Sequence, residues 1–512
     1  MAEAVTDPTT APTSPPGPHG AGAPVRPWPA LWALCLGFFM ILVDSTIVFV
    51  ATPAIMDSLH TGVNSVVWVT SAYLLAYAVP LLVTGRLGDR VGPKALYLAG
   101  LTLFTASSLW CGLTGSIAML ILARVFQGLG ASMMTPQTMA VITRIFPATR
   151  RGQAMGVWGA VAGAASLFGP IAGGVLVDNL GWEWIFFVNV PVGVVAFALA
   201  WRLVPSLETH VHTFDLRGVG LSAVGMFLLV FGIQEGQSWN WSAGIWAMIA
   251  AGAAVLAVFV RWQRRNTGEP LVPLTLFRDR NFTLANVAIT TVGFAIIALS
   301  FPIMLYAQEV LGLSPTRAAL LMVPTSVLSG VLAPFVGKLS DQYHPRWIAG
   351  IGLSALPASL LWLAAVMRPH AAIWTLLLPI ALLGVANGFM WSPISTTVTR
   401  NLPMSQAGAG SGVYNTTRQV GAVLGSAAIG VMMQSRLSAE LPGLHGRSFV
   451  TGAAGQPLPE AVQHGFAAAM AQATVLPALV ALLGLVAVLC FARPGHLRRD
   501  VREPAGSAPV PA

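Results

Sequence analysis

The stretch Gly85-Arg-Leu-Gly-Asp89 recurs 252 residues later as Gly337-Lys-Leu-Ser-Asp341. A second, sparser pattern recurs at an offset of 256 residues and keeps a threonine, an arginine, a proline and three glycines. The paired positions are Thr143 and Thr399, Arg144 and Arg400, Pro147 and Pro403, Gly152 and Gly408, Gly156 and Gly412, and Gly169 and Gly425. Two patterns at nearly the same offset indicate an internal duplication, so the chain is predicted to contain two related halves.

The composition around these repeats is typical of a membrane protein. Of the 512 residues, 55% are hydrophobic and 9% are charged, whereas an ordinary soluble domain has about 25% charged residues. Because one crossing of a bilayer takes roughly 20 mostly apolar residues, the apolar residues suffice for about fourteen crossings. Apolar runs lie near 29–52, 66–84, 96–114, 117–138, 154–177, 184–204, 217–236, 243–262, 282–306, 316–337, 346–367, 371–394, 411–433 and 470–492.

The apolar runs and the duplication together predict the fold class. We expect an all-α polytopic membrane protein with 14 transmembrane helices, in which two pseudo-symmetric six-helix bundles flank an inserted helix pair. Parallel halves of this kind, with a binding site between them near the middle of the membrane, are a known transporter architecture. The predicted segments are a disordered cytoplasmic tail at 1–27, an N-terminal bundle at 28–204, a two-helix linker at 205–265, a C-terminal bundle at 266–492 and a second cytoplasmic tail at 493–512.

The distribution of positive charge predicts the orientation. If the N-terminus is inside, 21 lysines and arginines fall in cytoplasmic segments, 4 fall outside, and Arg124 and Arg418 remain within spans. Since cytoplasmic loops hold the excess of lysine and arginine, both termini are predicted to be cytoplasmic. The 25 arginines against two lysines indicate a GC-rich bacterial genome, so we expect the cytoplasmic membrane of a bacterium.

Several function classes are excluded by the same residues. Cys35, Cys111 and Cys490 lie inside apolar runs, so neither a disulfide framework nor a metal site is expected. The net charge of +9 is scattered over short connectors, which argues against a nucleic-acid partner. Lys94 precedes alanine and Lys338 precedes leucine, so a phosphate-binding loop ending in Lys-Ser or Lys-Thr is missing. We therefore expect no cofactor and no enzyme.

An acid and a base lie deep in the predicted spans. An ionised carboxylate in a membrane helix costs on the order of 2.5–3.5 kcal/mol, so Asp44 is a candidate functional residue by default. With a rise of about 1.5 Å per residue, Asp44 lies roughly 13 Å and Arg124 roughly 10 Å below the outer surface, which allows them to meet. The alternatives are that Asp44 is a structural hydrogen-bonding acid and that Arg124 only anchors neighbouring helices.

The segment 85–94 combines glycines, one acid and three bases in a short cytoplasmic loop. Its glycines permit sharp turns, and Asp89 can accept hydrogen bonds from an adjacent helix N-terminus. The alternative is an ordinary positively charged turn, but the second copy at 337–341 favours a latch between helices. The candidate latch residues are Gly85, Asp89, Arg90, Gly92 and Lys94.

At this point the sequence resembles the major facilitator superfamily, and within it the fourteen-span drug:proton antiporters of the EmrB/QacA type. The resemblance covers roughly residues 29–495. It is carried by the loop 85–94, by Val43-Asp44-Ser-Thr46 in the first helix, by Arg124-Val-Phe-Gln127-Gly128 in the fourth, by Gly169-Pro170-Ile-Ala-Gly173-Gly174 in the fifth, and by the stretches Trp182-Glu-Trp184 to Gly193 and Tyr414-Asn415-Thr-Thr-Arg418-Gln419. Departures from the family pattern are Glu183, Ala165 and the degraded second latch copy.

The resemblance implies proton-coupled efflux of lipophilic drugs or antibiotics by alternating access, with Asp44 and Arg124 coupling the proton. The run from Gly169 to Gly174 is then an antiporter motif, with ordinary helix packing as the alternative. The expected partners are a small lipophilic substrate, protons and the bilayer, and the protein is expected to work as a monomer. Export of a natural metabolite and proton symport are alternatives, while a membrane-embedded enzyme or sensor is disfavoured because the spans lack clustered catalytic residues.

Four polar residues in the second half are candidates for lining a cavity. They are Asn387, Asn415, Arg418 and Gln419. Polar bonding between helices is the ordinary role for the amides. Arg418 has no acid at its depth, and its side chain can equally reach the inner membrane surface.

Overall fold

Long apolar helices make up almost all of the computed structural model, which describes residues 26–61, 63–207, 209, 215–236, 238–266, 270–313, 315–441 and 458–492. The two predicted tails therefore lie outside the described residues, apart from Arg26 and Pro27. Within the described chain, all regular secondary structure is helical.

The first half contains α1 (Pro27–Ser58), α2 (Val63–Ala78), α3 (Leu81–Val91), α4 (Pro93–Leu113), α5 (Ile117–Ile145), α6 (Arg151–Leu180), α7 (Trp184–Phe187) and α8 (Asn189–Leu203). The inserted pair is α9 (Leu216–Glu235) and α10 (Ala243–Arg265). The second half contains α11 (Arg280–Leu305), α12 (Pro315–Leu320), α13 (Val323–Gln342), α14 (Pro345–Val366), α15 (Ile373–Arg400), α16 (Ala407–Glu440) and α17 (Glu460–Leu489).

These helices confirm the predicted fold class. Thirteen segments of the described chain are long and apolar enough to cross a membrane. Helices α2 and α3 together form the fourteenth span, which is bent by 47° between them. Two other spans are interrupted, between α7 and α8 and between α12 and α13. The chain is therefore a multi-pass membrane protein with six spans on either side of the inserted pair.

The predicted loop at 85–94 is wrong, because this segment is helical. Helix α3 continues to Val91 and α4 starts at Pro93, so Gly92, with φ of 94°, is the single break. Glycine tolerates this left-handed backbone after a helix, and proline suits the first position of the next helix. The second copy at 337–341 likewise lies inside α13.

The apolar runs at 411–433 and 470–492 predict an outer connector at 434–469, and the structure makes it shorter. Helix α16 continues to Glu440 and α17 already begins at Glu460, while 442–457 lie outside the described residues. The ends of these two helices are polar, so a search for apolar runs does not assign them to helices.

Both ends of the described chain lie at one end of the bundle. The Trp28 ring packs edge-on against Phe146 at the end of α5, with ring centroids 5.2 Å apart. At the other terminus, Asn281 at the start of α11 exchanges two hydrogen bonds with the backbone of Ala492, at 3.0 and 2.8 Å. We call this end the basic end, because Arg86, Arg90, Lys94, Arg144, Arg150 and Arg151 lie there.

The inserted helices form a hairpin across the seam between the halves. Leu75 of α2 and Met226 and Val230 of α9 share one apolar cluster, against which Val420 and Val423 of α16 pack. The hairpin therefore contacts a helix from each half.

Asp215 holds the two helices of this hairpin together at the basic end. Its carboxylate accepts hydrogen bonds from the Gly218 amide at 2.9 Å, from Trp262 Nε1 at 3.0 Å and from Gln263 Nε2 at 2.9 Å. Partial burial alone would raise the pKa of Asp215, but these donors outweigh it and lower the pKa below its usual value. The carboxylate therefore stays ionised at neutral pH.

The arrangement of the connectors predicts the result of a labelling experiment. Ala148 is exposed between α5 and α6 at the basic end, and Ala372 is exposed between α14 and α15 at the opposite end. In a Cys490→Ser background, Ala372→Cys should react with an impermeant maleimide added to intact cells, whereas Ala148→Cys should react only after permeabilisation. Labelling of both cysteines from outside would contradict the fourteen-span topology.

Candidate functional site

The structure brings Asp44 and Arg124 into direct contact inside the first half. Asp44 lies in α1 and Arg124 in α5, and both side chains are completely buried. Arg124 Nη1 donates to Asp44 Oδ2 at 2.5 Å. Such a buried ion pair is stable only when further hydrogen bonds satisfy the remaining polar atoms.

Two amides supply those bonds to the second carboxylate oxygen. Gln127 Nε2 and Asn189 Nδ2 donate to Asp44 Oδ1 at 2.8 and 2.9 Å. Gln127 can reach Asp44 because it lies three residues after Arg124, on the same face of α5. The two oxygens therefore accept three hydrogen bonds, one from Arg124 and two from the amides.

The remaining contacts of Arg124 fix its orientation. Its Nε donates to the Val69 carbonyl at 3.1 Å and its Nη1 also donates to Gln127 Oε1 at 2.6 Å. The guanidinium lies over the Tyr73 ring, 4.1 Å from the centroid. Its buried Nη2 has no acceptor among the described residues, so both N–H groups of that nitrogen are unused.

Sequence reasoning missed Asn189 and Ser108 as parts of this site. Ser108 Oγ accepts from Gln127 and Asn189 at 3.3 and 3.0 Å and donates to the Phe186 carbonyl at 3.0 Å. Asn189 is polar within an otherwise apolar run and begins α8, which could have marked it. Ser108 carries no such signal, since serine is common in membrane helices.

A second cluster of charge joins the two halves at the basic end. Asp89, at the end of α3, accepts the amides of Gly408 and Ala409 in the first turn of α16, both at 2.9 Å. Arg144, at the end of α5, donates to the same carboxylate at 2.5 Å. A carboxylate at a helix N-terminus satisfies unpaired amides and interacts favourably with the helix dipole.

The duplicated motif forms the reciprocal contact. Asp341 of α13 accepts the amides of Gly152 and Gln153 in the first turn of α6, at 2.7 and 3.0 Å. Arg400, the counterpart of Arg144, instead donates to the Ser340 carbonyl at 3.1 Å. We call the Asp89 and Asp341 contacts the reciprocal caps, and the Asp89 cap is the more strongly charged of the two.

Glycine makes the reciprocal caps sterically feasible. A Cβ at Gly85 would lie 2.6 Å from the Gly408 carbonyl oxygen, and a Cβ at Gly152 would lie 2.5 Å from the Gly337 carbonyl oxygen. Both distances are shorter than real Cβ contacts, so α3 and α16, and likewise α13 and α6, approach through their backbones. The halves are therefore closed against each other at the basic end.

The remaining residues of the first-half motifs have separate positions. Gly128 packs against the backbone of Tyr73, and Gly169 packs against Thr46 of α1. Gly173 is buried in α6, which also contains Pro170, whereas a Cβ at Gly174 would meet no atom of the described residues within 4 Å. Within that part of the chain, Gly174 therefore makes no close contact with a neighbouring helix.

Two residues of the predicted latch are not part of the caps. Lys94 donates to the Trp201 carbonyl at 2.7 Å, within the first half, and Arg90 is exposed.

The four candidate cavity residues do not contact the Asp44 site. Asn415 is fully buried, donates to the Ser411 carbonyl of its own helix at 2.9 Å and leaves its Oδ1 without a partner in the described chain. Gln419 is buried, and Arg418 and Asn387 are half-buried. Among the described residues, no group of three or more potential metal ligands occurs.

A duplicated bundle of membrane helices with a buried ion pair in one half is the architecture of a secondary transporter. The family model described as Major Facilitator Superfamily matches residues 34–426, and the chain belongs to that superfamily. It is therefore a transporter and not an enzyme.

Similar proteins agree with this classification. A Mycobacterium tuberculosis protein named as an uncharacterized MFS-type transporter is 57% identical over 469 residues, which cover 91% of this chain and 81% of that protein. The tetracenomycin C resistance and export protein of Streptomyces glaucescens is 34% identical over 420 residues, which cover 81% of this chain and 78% of that protein. The crystal structure of the human organic anion transporter MFSD10 (TETRAN) is similar in fold, with a TM-score of 0.61 at 13% identity, and covers 90% of this chain and 99% of that one.

Helix α16 offers a matched pair of substitutions that tests the close approach. Gly408→Ala should lower the free energy of unfolding by about 1–3 kcal/mol, because the added methyl group overpacks the contact with Gly85 and Asp89. Gly430→Ala should leave stability unchanged or slightly raised, because no atom in the described part of the chain lies within 4 Å of the added Cβ. Thermal unfolding in detergent measures both variants. Equal stability of the two would show that the glycine contact is unimportant.

The reciprocal caps predict which amides each aspartate protects. Asp89→Asn should speed hydrogen exchange at Gly408 and Ala409 at least tenfold, because a charge-assisted hydrogen bond contributes about 1.5–3 kcal/mol. Asp341→Asn should speed exchange at Gly152 and Gln153 instead. Each variant serves as the control for the other. Unchanged exchange at the capped amides of both variants would contradict the geometry.

Proposed function

We propose that this transporter exports lipophilic drugs or antibiotics across the bacterial cytoplasmic membrane in exchange for protons. The observation that carries the proposal is the fully buried Asp44–Arg124 pair. Asp44 is an acid in the interior of α1, far from both ends of that span. An ionisable pair in that position is costly to keep in a membrane and is by default a functional site.

The hydrogen bonds around Asp44 make its protonation consequential. A proton on the carboxylate removes the charge that balances Arg124, and breaking a buried pair in this way costs about 3–5 kcal/mol. The buried Nη2 of Arg124 already has no acceptor in the described chain, so the unpaired guanidinium would need water or another conformation. Protonation therefore favours a state in which the helices around Asp44 are rearranged.

Antiport follows if substrate and proton favour different states. A proton from outside would release Asp44 from Arg124 and promote opening toward the cytoplasm, and substrate arriving there would promote deprotonation. A ligand shifts an equilibrium only by its differential affinity, and the coupling is reciprocal. One elementary charge moved through 100 mV is worth about 2.3 kcal/mol, enough for a substrate gradient of about 40-fold.

The orientation rests on the distribution of positive charge. The 21 to 4 excess of lysine and arginine supports placing the basic end in the cytoplasm. The reciprocal caps then form a cytoplasmic gate, reinforced by Arg151 Nη1, which donates to the Thr399 carbonyl at 3.1 Å, and Ser392 Oγ, which donates to the Gly152 carbonyl at 2.8 Å. This arrangement corresponds to a state closed toward the cytoplasm.

The apolar interior between the halves supports a lipophilic substrate. Phe38 and Trp158, with ring centroids 4.7 Å apart, share one buried cluster with Met155 of the first half and with Met390 and Tyr414 of the second. Aromatic rings and flexible methionines adapt to varied apolar ligands. The name of the Streptomyces relative, a resistance and export protein, points in the same direction.

Asp44→Asn tests the proton role. The variant should insert and fold, since asparagine resembles the protonated acid in shape, but it should lose export driven by an imposed pH difference in proteoliposomes. Glu235→Gln is the matched control, because it neutralises another buried acid at the far end of α9 and should retain export. The substrate is first chosen by screening lipophilic drugs for protonophore-sensitive uptake into inverted vesicles.

Two results would overturn the assignment. If Asp44→Asn still concentrates the drug against its gradient when a pH difference is applied, another group carries the proton. If the wild type transports a polar metabolite and none of the lipophilic drugs, the proposed substrate class is wrong. The proposed role of Asp44 in proton coupling is not affected by that result.

A further inference from the structure

A cavity of about 860 Å³ lies at the basic end, outside the ion pair and the reciprocal caps. It is bounded by the end of α10, by the segment 270–278 and by Arg86 of α3. Residues from the first half, the hairpin and the second half thus meet around one open space. The cavity is large enough for a phosphate-bearing headgroup.

Three arginines give this cavity an excess of positive charge. Arg86, Arg264 and Arg278 line it, and its described lining includes no aspartate or glutamate. Among the described residues, the acid paired with Arg86 is Asp89, at 4.0 Å, whose carboxylate already accepts three shorter hydrogen bonds. Asp215, bonded to Gln263 in the cavity wall, is equally committed to the hairpin.

Arg86 is the residue that indicates a ligand. It is only 7% exposed, and no hydrogen bond joins its guanidinium to the described residues. A buried arginine without a strong partner is costly, and its planar fork of donors matches the oxygens of a phosphate. An anion in the cavity would balance Arg86 together with the two more exposed arginines.

Apolar side chains beside the arginines indicate that the anion belongs to a lipid. Val260, Leu274 and Phe277 line the same cavity, and Val260 and Phe277 are well exposed. Basic pockets between membrane helices near the membrane surface bind anionic headgroups. A soluble phosphate would gain nothing from these apolar contacts, whereas acyl chains would cover them.

We propose that this cavity binds the phosphodiester headgroup of an anionic membrane lipid of the phosphatidylglycerol class. The headgroup contacts Arg86, Arg264 and Arg278, and the acyl chains lie along Val260 and Phe277. A lipid in this position bridges both halves and the hairpin beside the Asp89 cap, so it stabilises the closed basic end. This site is independent of the proton role of Asp44.

The experiment measures lipid binding to the full-length purified protein by native mass spectrometry. Titration with dioleoylphosphatidylglycerol, with dioleoylphosphatidylcholine as the zwitterionic comparison, should give a specific bound lipid for the wild type. The double variant Arg264→Gln, Arg278→Gln should weaken phosphatidylglycerol binding at least tenfold. The matched control Arg265→Gln, Arg280→Gln removes two exposed arginines that do not line the cavity and should bind within twofold of the wild type.

The other outcomes each overturn the proposal. Equal weakening by both double variants would reduce the effect to general surface charge. Inorganic phosphate that displaces the lipid at comparable concentration would identify a soluble phosphate ester as the ligand. Glu269 lies outside the described residues. If phosphatidylglycerol binds to Glu269→Gln but not to the wild type, the Glu269 carboxylate occupies the site in the native protein.

Discussion

Two aspartates, each at the end of a helix in one half, cap the first turn of a helix in the other half, and the closed arrangement of the bundle depends on this exchange. Each carboxylate satisfies two first-turn backbone amides that have no partner within their own helix. Because the capped turns contain Gly152 and Gly408, the helices approach closely enough for the bonds to form. The duplicated motif therefore forms the same type of contact twice, once from the first half to the second and once from the second half to the first. The Asp89 cap adds Arg144, so the two contacts differ in strength although they share one geometry.

Two helices connect these caps with the buried ion pair. Helix α5 carries Arg124 in its interior and Arg144 at its end, 20 residues or about 30 Å away. Helix α6 contacts Thr46, two residues beyond Asp44, through Gly169 and is capped by Asp341 at its first turn. A change in the Asp44–Arg124 pair therefore acts on two rigid elements that both end in the proposed gate. Under the proposed function, protonation of Asp44 in the first half controls the reciprocal caps between the halves, although Asp44 does not contact either cap.

The sequence predicted much of this arrangement, for physical reasons that also explain the failures. Apolar runs and positive charges reveal spans because lipid excludes unsatisfied polar groups, and helix rise was enough to place Asp44 and Arg124 at one depth. The segment 85–94 was expected to be a loop because it is rich in glycine and charge, yet its helix is stabilised by packing against α16, which no local pattern reveals. Asn189 bonds Asp44, and Ser108 bonds Asn189, only because α8 packs against both α1 and α4. Cavity lining by the four polar residues Asn387, Asn415, Arg418 and Gln419 stays a prediction.

The most direct test is the distance across the basic end with and without the charge of Asp44. In a Cys490→Ser background, spin labels attached to Ala148→Cys and Ser405→Cys, one in each half, report that distance by double electron–electron resonance in lipid nanodiscs. If Asp44 controls the gate, the protein that keeps Asp44 gives one short distance, and Asp44→Asn, which removes the charge that pairs with Arg124, gives a longer population at the same pH. A short distance that persists unchanged in Asp44→Asn would contradict the claim that Asp44 controls the gate.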